Sequence, residues 1–239
     1  SLLDFFREKG ALTIGLEPTD ASNDAKAKGH IIFNDFLSKE SVEAIVLAHG
    51  SPDLITFTNV FAHIENLDAV LNSLKQLIAP HTLIIIENHY LGAVLEGNQF
   101  DTFYHEHPRS YSYSSFVHIA QSLDAELIDV EFSSRYGGNI RVFISASSFG
   151  HHKFVDTSKI GEKEGLFLQD FAVLRKNVIS WKDSKKRFLA SQIKQYGKLR
   201  AKAFPGRAAI LIKLLGLTEN QIIAVHEKPG SLKIGHYLP

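Results

Sequence analysis

Helix-like and strand-like patterns alternate without a break from the first residue to Asn88, and that alternation constrains the fold more than any other feature of the chain. Leu2, Leu3, Phe5 and Phe6 stand among charged residues at helical spacing over residues 1–9, with Gly10 where a helix end favours it. Residues 11–16 read as a strand ending at Glu17-Pro18, and residues 19–28 as a short helix closed by Gly29. A strand over 30–33 leads into Asn34-Asp35-Phe36, and an amphipathic helix over 38–49 follows. The apolar run 53–58 suits a buried parallel strand, with Asn59-Val60-Phe61-Ala62-His63-Ile64 at its carboxyl end. A helix over 67–78 is stopped by Pro80, and the most hydrophobic strand, 82–86, ends in Glu87-Asn88. Strict alternation of this kind predicts an α/β fold: a doubly wound parallel sheet with helices on both faces.

In open sheets of that class, ligands sit at the carboxyl ends of the strands. Glu17 ends the strand over 11–16, and at the carboxyl end of the second strand of a doubly wound sheet an acidic residue usually accepts hydrogen bonds from both hydroxyls of a nucleoside ribose; the competing reading is a surface carboxylate. The same rule places His63 toward a ligand, against a capping or core histidine.

Residues 89–112 lack periodicity and are therefore expected to be a long functional loop. They hold the run Phe100-Asp101-Thr102-Phe103-Tyr104-His105-Glu106-His107-Pro108, in which a phenol, two imidazoles and carboxylates lie close together. Imidazole starts nearest to neutral pKa, and a neighbouring carboxylate can orient it, so Tyr104, Glu106 and His107 form a candidate proton-transfer group. A regular strand would split them between its two faces and Pro108 bars a helix, which predicts a turn. A solvated His-rich loop, a core hydrogen-bond network and a metal site built on His105 and His107 are the alternatives; no third metal ligand stands at a recognisable spacing.

A helix over 114–123 precedes two strands, 126–132 and 140–145, joined as a hairpin through Tyr136-Gly137-Gly138-Asn139. The character changes near Ser148, which divides the chain into a 1–148 domain and a smaller 149–239 α/β domain, with a long charged helix over 162–196, a helix over 206–216 and a strand over 221–225. Lys plus Arg and Asp plus Glu are equal at 26 each, which argues against a general affinity for nucleic acid or an anionic membrane. The first residues lack a secretory pattern and no apolar run approaches the length of a span, so a cytoplasmic protein is expected. With no cysteine in the sequence, thiolate metal sites and disulfides are excluded within it.

These residues resemble the S-adenosylmethionine-dependent sugar C-methyltransferases, which methylate a ring carbon of nucleotide-linked ketosugars in deoxysugar biosynthesis. Leu2-Leu3-Asp4-Phe5-Phe6 with Gly15-Leu16-Glu17-Pro18 is similar to the family's second cofactor segment, residues 59–64 to the segment after its fourth strand, and residues 100–107 to its signature. Gly137-Gly138-Asn139-Ile140-Arg141 resembles its glycine pair and arginine, and Pro205-Gly206-Arg207-Ala208-Ala209 with residues 227–235 its carboxyl-terminal domain. The resemblance implies a class I methyltransferase (Rossmann-like) fold. It implies that Glu17 with Pro18 holds the cofactor ribose, that Asp35 and Phe36 lie near the adenine, and that Asn59, Phe61 and His63 line the methionine and substrate side. Tyr104, Glu106 and His107 become the catalytic group with His107 as base, His63 a second proton handler, and Asn139 and Arg141 substrate contacts. The cofactor is S-adenosylmethionine, with S-adenosylhomocysteine as product, the partner a nucleotide sugar, and the assembly a monomer or homodimer. The reaction needs no metal; a structural zinc enters only with the family's amino-terminal zinc module, which residues 1–239 lack together with the glycine-rich first cofactor loop. Tyr136 stands where the family usually has histidine.

The implied chemistry suits these residue types. A sugar carbon becomes nucleophilic only when the proton beside the ketone is removed, so the enzyme needs a base, here His107 oriented by Glu106, and a donor to the enolate oxygen, here Tyr104. Another class I O- or N-methyltransferase, or a non-catalytic nucleotide-binding protein, would keep Glu17 and the sheet but has no use for that trio.

Overall fold

The computed structural model describes residues 2–146 and 157–236, and each patterned stretch up to Asn88 takes the expected form. In chain order the elements are α1 (Leu2–Glu8), β1 (Ile14–Leu16), α2 (Ala21–Ala27), β2 (Ile31–Phe33), α3 (Lys39–His49), β3 (Leu54–Thr58), α4 (Leu67–Leu77) and β4 (Leu83–His89). They continue with α5 (Leu91–Glu96), α6 (Tyr113–Ser122), β5 (Glu126–Ser133), β6 (Asn139–Ser145), α7 (Ser158–Glu164), α8 (Phe167–Tyr196), β7 (Leu199–Lys202), α9 (Ala208–Leu215) and β8 (Ile222–His226). Single-turn 3-10 helices cover Phe61–His63, Phe100–Thr102 and Arg135–Gly137. The domain boundary expected near Ser148 lies outside the described residues.

The chain falls into two compact units, one of Ser1–Glu87, Ser114–Glu131 and Arg141–Val155, the other of Asn88–Tyr113, Phe132–Ile140 and Asp156–Pro239. In the first unit β1 pairs in parallel with β2, and β3 in parallel with β4, from Leu54↔Leu83 to Thr58↔Glu87. Hydrogen bonding divides the strands into a β1-β2 pair and a sheet of order β3-β4-β6-β5, rather than the single expected sheet. Side-chain packing spans that division: Ile14, Leu16 and Phe33 of the pair and Ile55 of β3 close on Val42, Ile45 and Leu77. Helix starts are fixed locally, α3 by a reciprocal capping box between Ser38 and Ser41 and α4 by the Asn66 side chain accepting from the Ala69 N–H.

In the second unit α5 occupies part of the stretch expected to be loop. Its six residues are too few to hold a helix alone; neighbours supply the rest, since the Tyr90 N–H donates to the Gly138 carbonyl and the Leu91 N–H to that of Tyr111. The expected 162–196 helix is two helices, α7 and α8, broken at Gly165-Leu166. Beyond it β7, which the pattern did not predict, pairs in parallel with β8, with α9 between them in sequence.

The hairpin prediction falls on adjacent strands, β5 and β6. Their connection carries three successive residues at positive φ, Tyr136 at 53°, Gly137 at 85° and Gly138 at 130°, a backbone path that glycine alone follows without strain. Gly138 is further fixed by space, because a Cβ there would lie 2.3 Å from the Cβ of Ala93.

Candidate active site

The carboxyl ends of β1 and β2 are tied to one another. The Glu17 N–H donates to the Phe33 carbonyl at 3.1 Å, and the Asn34 amide donates to the Glu17 carbonyl at 2.7 Å. Glu17 Oε1 accepts from both the N–H and the hydroxyl of Thr19, at 2.9 and 2.6 Å, which fixes the carboxylate while Oε2 keeps its capacity to accept. Pro18 is exposed beside it. Asp35 Oδ1 accepts from the Phe36 N–H at 2.7 Å, and the Phe36 ring is 72% exposed. An oriented carboxylate at one strand end and an uncovered aromatic ring at the next fit a nucleoside, whose ribose offers hydroxyls and whose base offers a flat face.

At the end of β3, Asn59 takes a left-handed conformation, φ 54°, that asparagine tolerates better than most residues, and its N–H donates to the Glu87 carbonyl at 2.7 Å. This turn leads into the 3-10 helix that carries His63, which is exposed. Phe61, expected as a cofactor contact, is instead fully buried, 5.0 Å from the Phe57 ring in an edge-on arrangement and 6.3 Å from that of Phe116. Its ring belongs to the core.

Arg141, expected to meet substrate, has its guanidinium engaged elsewhere. Nε and Nη2 donate to Glu87 Oε2 at 2.9 and 2.6 Å, and Nη1 donates to Glu131 Oε2 at 2.9 Å. The Glu87 side chain is only 5% exposed, and its hydrogen bond and charge hold the Arg141 pKa above the usual range. Sequence reasoning did not single out Glu87; the signal was a carboxylate closing the most hydrophobic strand, a place where burial demands a cation. Asn139, at the start of β6, is buried.

In the second unit the turn after Thr102 gathers three of the expected groups. The Tyr104 hydroxyl donates to Glu106 Oε2 at 3.1 Å, and the Tyr104 and His107 rings lie 4.6 Å apart between centroids. His107 Nδ1 is 3.1 Å from the Thr102 carbonyl oxygen. A carbonyl can only accept, so Nδ1 carries the hydrogen, and in the neutral ring the lone pair is on Nε2. Glu106 therefore binds the phenol, and the main chain, not Glu106 as expected, orients His107. Burial and then the Glu106 carboxylate raise the Tyr104 pKa, with Arg207 acting in the opposite sense, so the phenol stays a proton donor. His105 is exposed, with Nε2 3.9 Å from Glu106.

A cavity of about 380 Å³ lies in the same unit, walled by Tyr90, Phe132, Ser133, Asn139, Lys159 and Lys163 among others. The Tyr90 and Phe132 rings meet at 4.9 Å, and Lys163 pairs with Glu96 at 2.8 Å. Burial, followed by the charge of Glu164, pushes the Tyr90 phenol well above its ordinary value.

The family described as "Methyltransferase domain" matches residues 1–130, more than half of the chain. The chain belongs to that family. It is an α/β methyltransferase domain. The chain is 32% identical over 150 residues to the C-methyltransferase NovU of Streptomyces niveus, a match covering 62% of this chain and 36% of that relative. Among solved structures it is similar to a SAM-dependent methyltransferase from Archaeoglobus fulgidus, with TM-score 0.49 and 11% identity over 60% of this chain and 80% of that one. It is also similar to magnesium protoporphyrin IX methyltransferase from Synechocystis PCC 6803 with bound SAH, with TM-score 0.44 and 15% identity over 59% and 66%. Among the described residues no helix is long and apolar enough to cross a membrane.

Proposed function

We propose that this chain is part of a C-methyltransferase that methylates the carbon beside the ketone of a nucleotide-linked deoxysugar. The observation that carries the reading is the contact of His107 Nδ1 with the Thr102 carbonyl: with Nδ1–H spent there, Nε2 of the neutral ring is the nitrogen that accepts a proton. Oxygen and nitrogen nucleophiles already carry a lone pair, whereas a carbon beside a ketone does not until a base removes its proton. His107 Nε2 takes that proton, and the electron pair moves onto the ketone oxygen. The Tyr104 hydroxyl, kept protonated by burial and Glu106, turns from Glu106 to donate to that oxygen as its charge develops. Bound S-adenosylmethionine supplies a methyl group made electrophilic by its sulfonium. Glu17 fixes the ribose hydroxyls and Phe36 faces the adenine, which orients the donor; His63, on the exposed turn after β3, is a second proton handler. NovU, the relative named above, is itself described as a C-methyltransferase.

The test is His107→Ala in the protein carrying its native amino terminus, assayed with a nucleotide-linked ketosugar. Methyl transfer is expected to fall by roughly 10² to 10⁴ while S-adenosylhomocysteine binding by calorimetry persists. Undiminished turnover would remove His107 from the mechanism.

A further inference from the structure

The turn that sets the His107 tautomer is a single 3-10 turn, Phe100–Thr102, too short to hold its own shape in water. Its stability must therefore come from what grips it. On one side Phe100 packs against Trp181 of α8, ring centroids 5.0 Å apart. Its acidic residue is gripped by the β7–α9 connection, where Arg207 Nη1 lies 3.3 Å from Asp101 Oδ2.

That connection is itself built with unusual care. Ala203 stands at φ 63°, a left-handed conformation that costs alanine on the order of 1 kcal/mol or more and persists only where surroundings impose it. The Phe204 N–H donates to Glu227 Oε1 at 2.6 Å, and the Lys233 ammonium donates to the Phe204 carbonyl. The segment 227–233 thus holds residues 203–204, from which the chain runs on to Arg207. As a stability device the result is poor: both partners are more than a third exposed, and such a pair contributes about 0–1 kcal/mol. A strained, doubly clamped loop that ends in a nearly worthless surface ion pair is better explained by what the pair positions.

We infer that Arg207 is a positioning residue of the active site: through Asp101 it holds the Phe100–Thr102 turn so that the Thr102 carbonyl keeps His107 in the Nδ1–H tautomer. The inference rests on the reading of His107 as the base. It is supported by the proximity of Arg207 to Tyr104, whose pKa its charge lowers against the effect of burial.

The experiment is long-range ¹H–¹⁵N NMR of the His107 ring in the wild type, Arg207→Gln, Arg207→Lys and Asp101→Asn, with thermal melts to confirm folding. The wild type is expected to show the Nδ1–H form. Arg207→Gln and Asp101→Asn should relax it toward a mixture of tautomers, with Arg207→Lys restoring part of the signal, and kcat should fall by up to ~10²-fold at constant KM. A wild-type ring protonated on Nδ1 that Arg207→Gln leaves unmoved overturns this inference alone. A wild-type ring protonated on Nε2 overturns the base assignment and this inference with it.

Discussion

Replacing Arg141 by methionine separates a structural role for the guanidinium from a role in holding substrate. Glu87 is 5% exposed and receives two of the Arg141 hydrogen bonds, while the Arg141 side chain itself is 41% exposed. Breaking a fully buried pair costs about 3–5 kcal/mol, and an exposed one about 0–1. Here the carboxylate is buried and the cation half in solvent, so the loss should fall between, at about 2–3 kcal/mol. For a chain of this size that lowers Tm by about 4–12 °C. The deficit should also depend on pH with a definite sign. Deprived of its cation, the buried Glu87 carboxyl in the variant acquires a folded pKa above its unfolded value near 4.3. The folded variant then binds a proton more tightly than its unfolded chain, so it gains stability relative to the wild type as pH falls toward 5. Thermal melts of both proteins at about pH 7.5 and about pH 5 read the two effects together. Adding Glu87→Gln to the Arg141→Met variant should recover part of the loss, with a coupling of about 0.5–3 kcal/mol. Equal melting temperatures with a raised KM would refute the reasoning and return Arg141 to the substrate; a deficit that ignores pH would show that the lost stability is packing, not charge.

Asn34→Ala removes the clamp on the Glu17 carbonyl, worth about 0.5–1.5 kcal/mol, and should weaken S-adenosylhomocysteine binding by roughly 2- to 10-fold by calorimetry; unchanged affinity would mean that the Asn34 bond does not set the position of Glu17. Gly138→Ala forces a Cβ to within 2.3 Å of Ala93 at φ 130° and should cost about 3 kcal/mol or more in urea unfolding. A loss below about 1 kcal/mol would mean the turn relaxes freely.

What was legible in the sequence follows from what each signal encodes. Periodicity reports which face of an element is buried, so α3, β3, α4 and β4 were read nearly to their ends. It is silent where the partner is main chain. The helix α5 depends on bonds to the Gly138 and Tyr111 carbonyls, and β7 alternates apolar and charged residues over only Leu199–Lys202 at the end of a long charged helix. The same limit applies in the site. Tyr104, Glu106 and His107 were picked out by residue type and do gather in a turn, but the group that orients His107 is a backbone oxygen, which residue type does not disclose. Phe61 and Arg141 sit where sequence spacing put them, but a ring and a guanidinium choose partners by tertiary burial, here Phe116 and Glu87.

The divided sheet leaves the β1-β2 pair dependent on side-chain packing. Among the described residues no ladder joins β1 or β2 to β3. The β1-β2 pair, three residues long in each strand, is held to the rest of its unit by Val42, Ile45 and Leu77 packing on Ile14, Leu16, Phe33 and Ile55. Packing of this kind is strong but not directional, since apolar contacts do not fix an angle as a hydrogen-bond ladder does. The position of Glu17 thus depends on the local clamp from Asn34 and Thr19. A carboxylate proposed to meet two ribose hydroxyls needs that directional restraint, and hydrogen bonds within its own loop are the means these residues have to supply it.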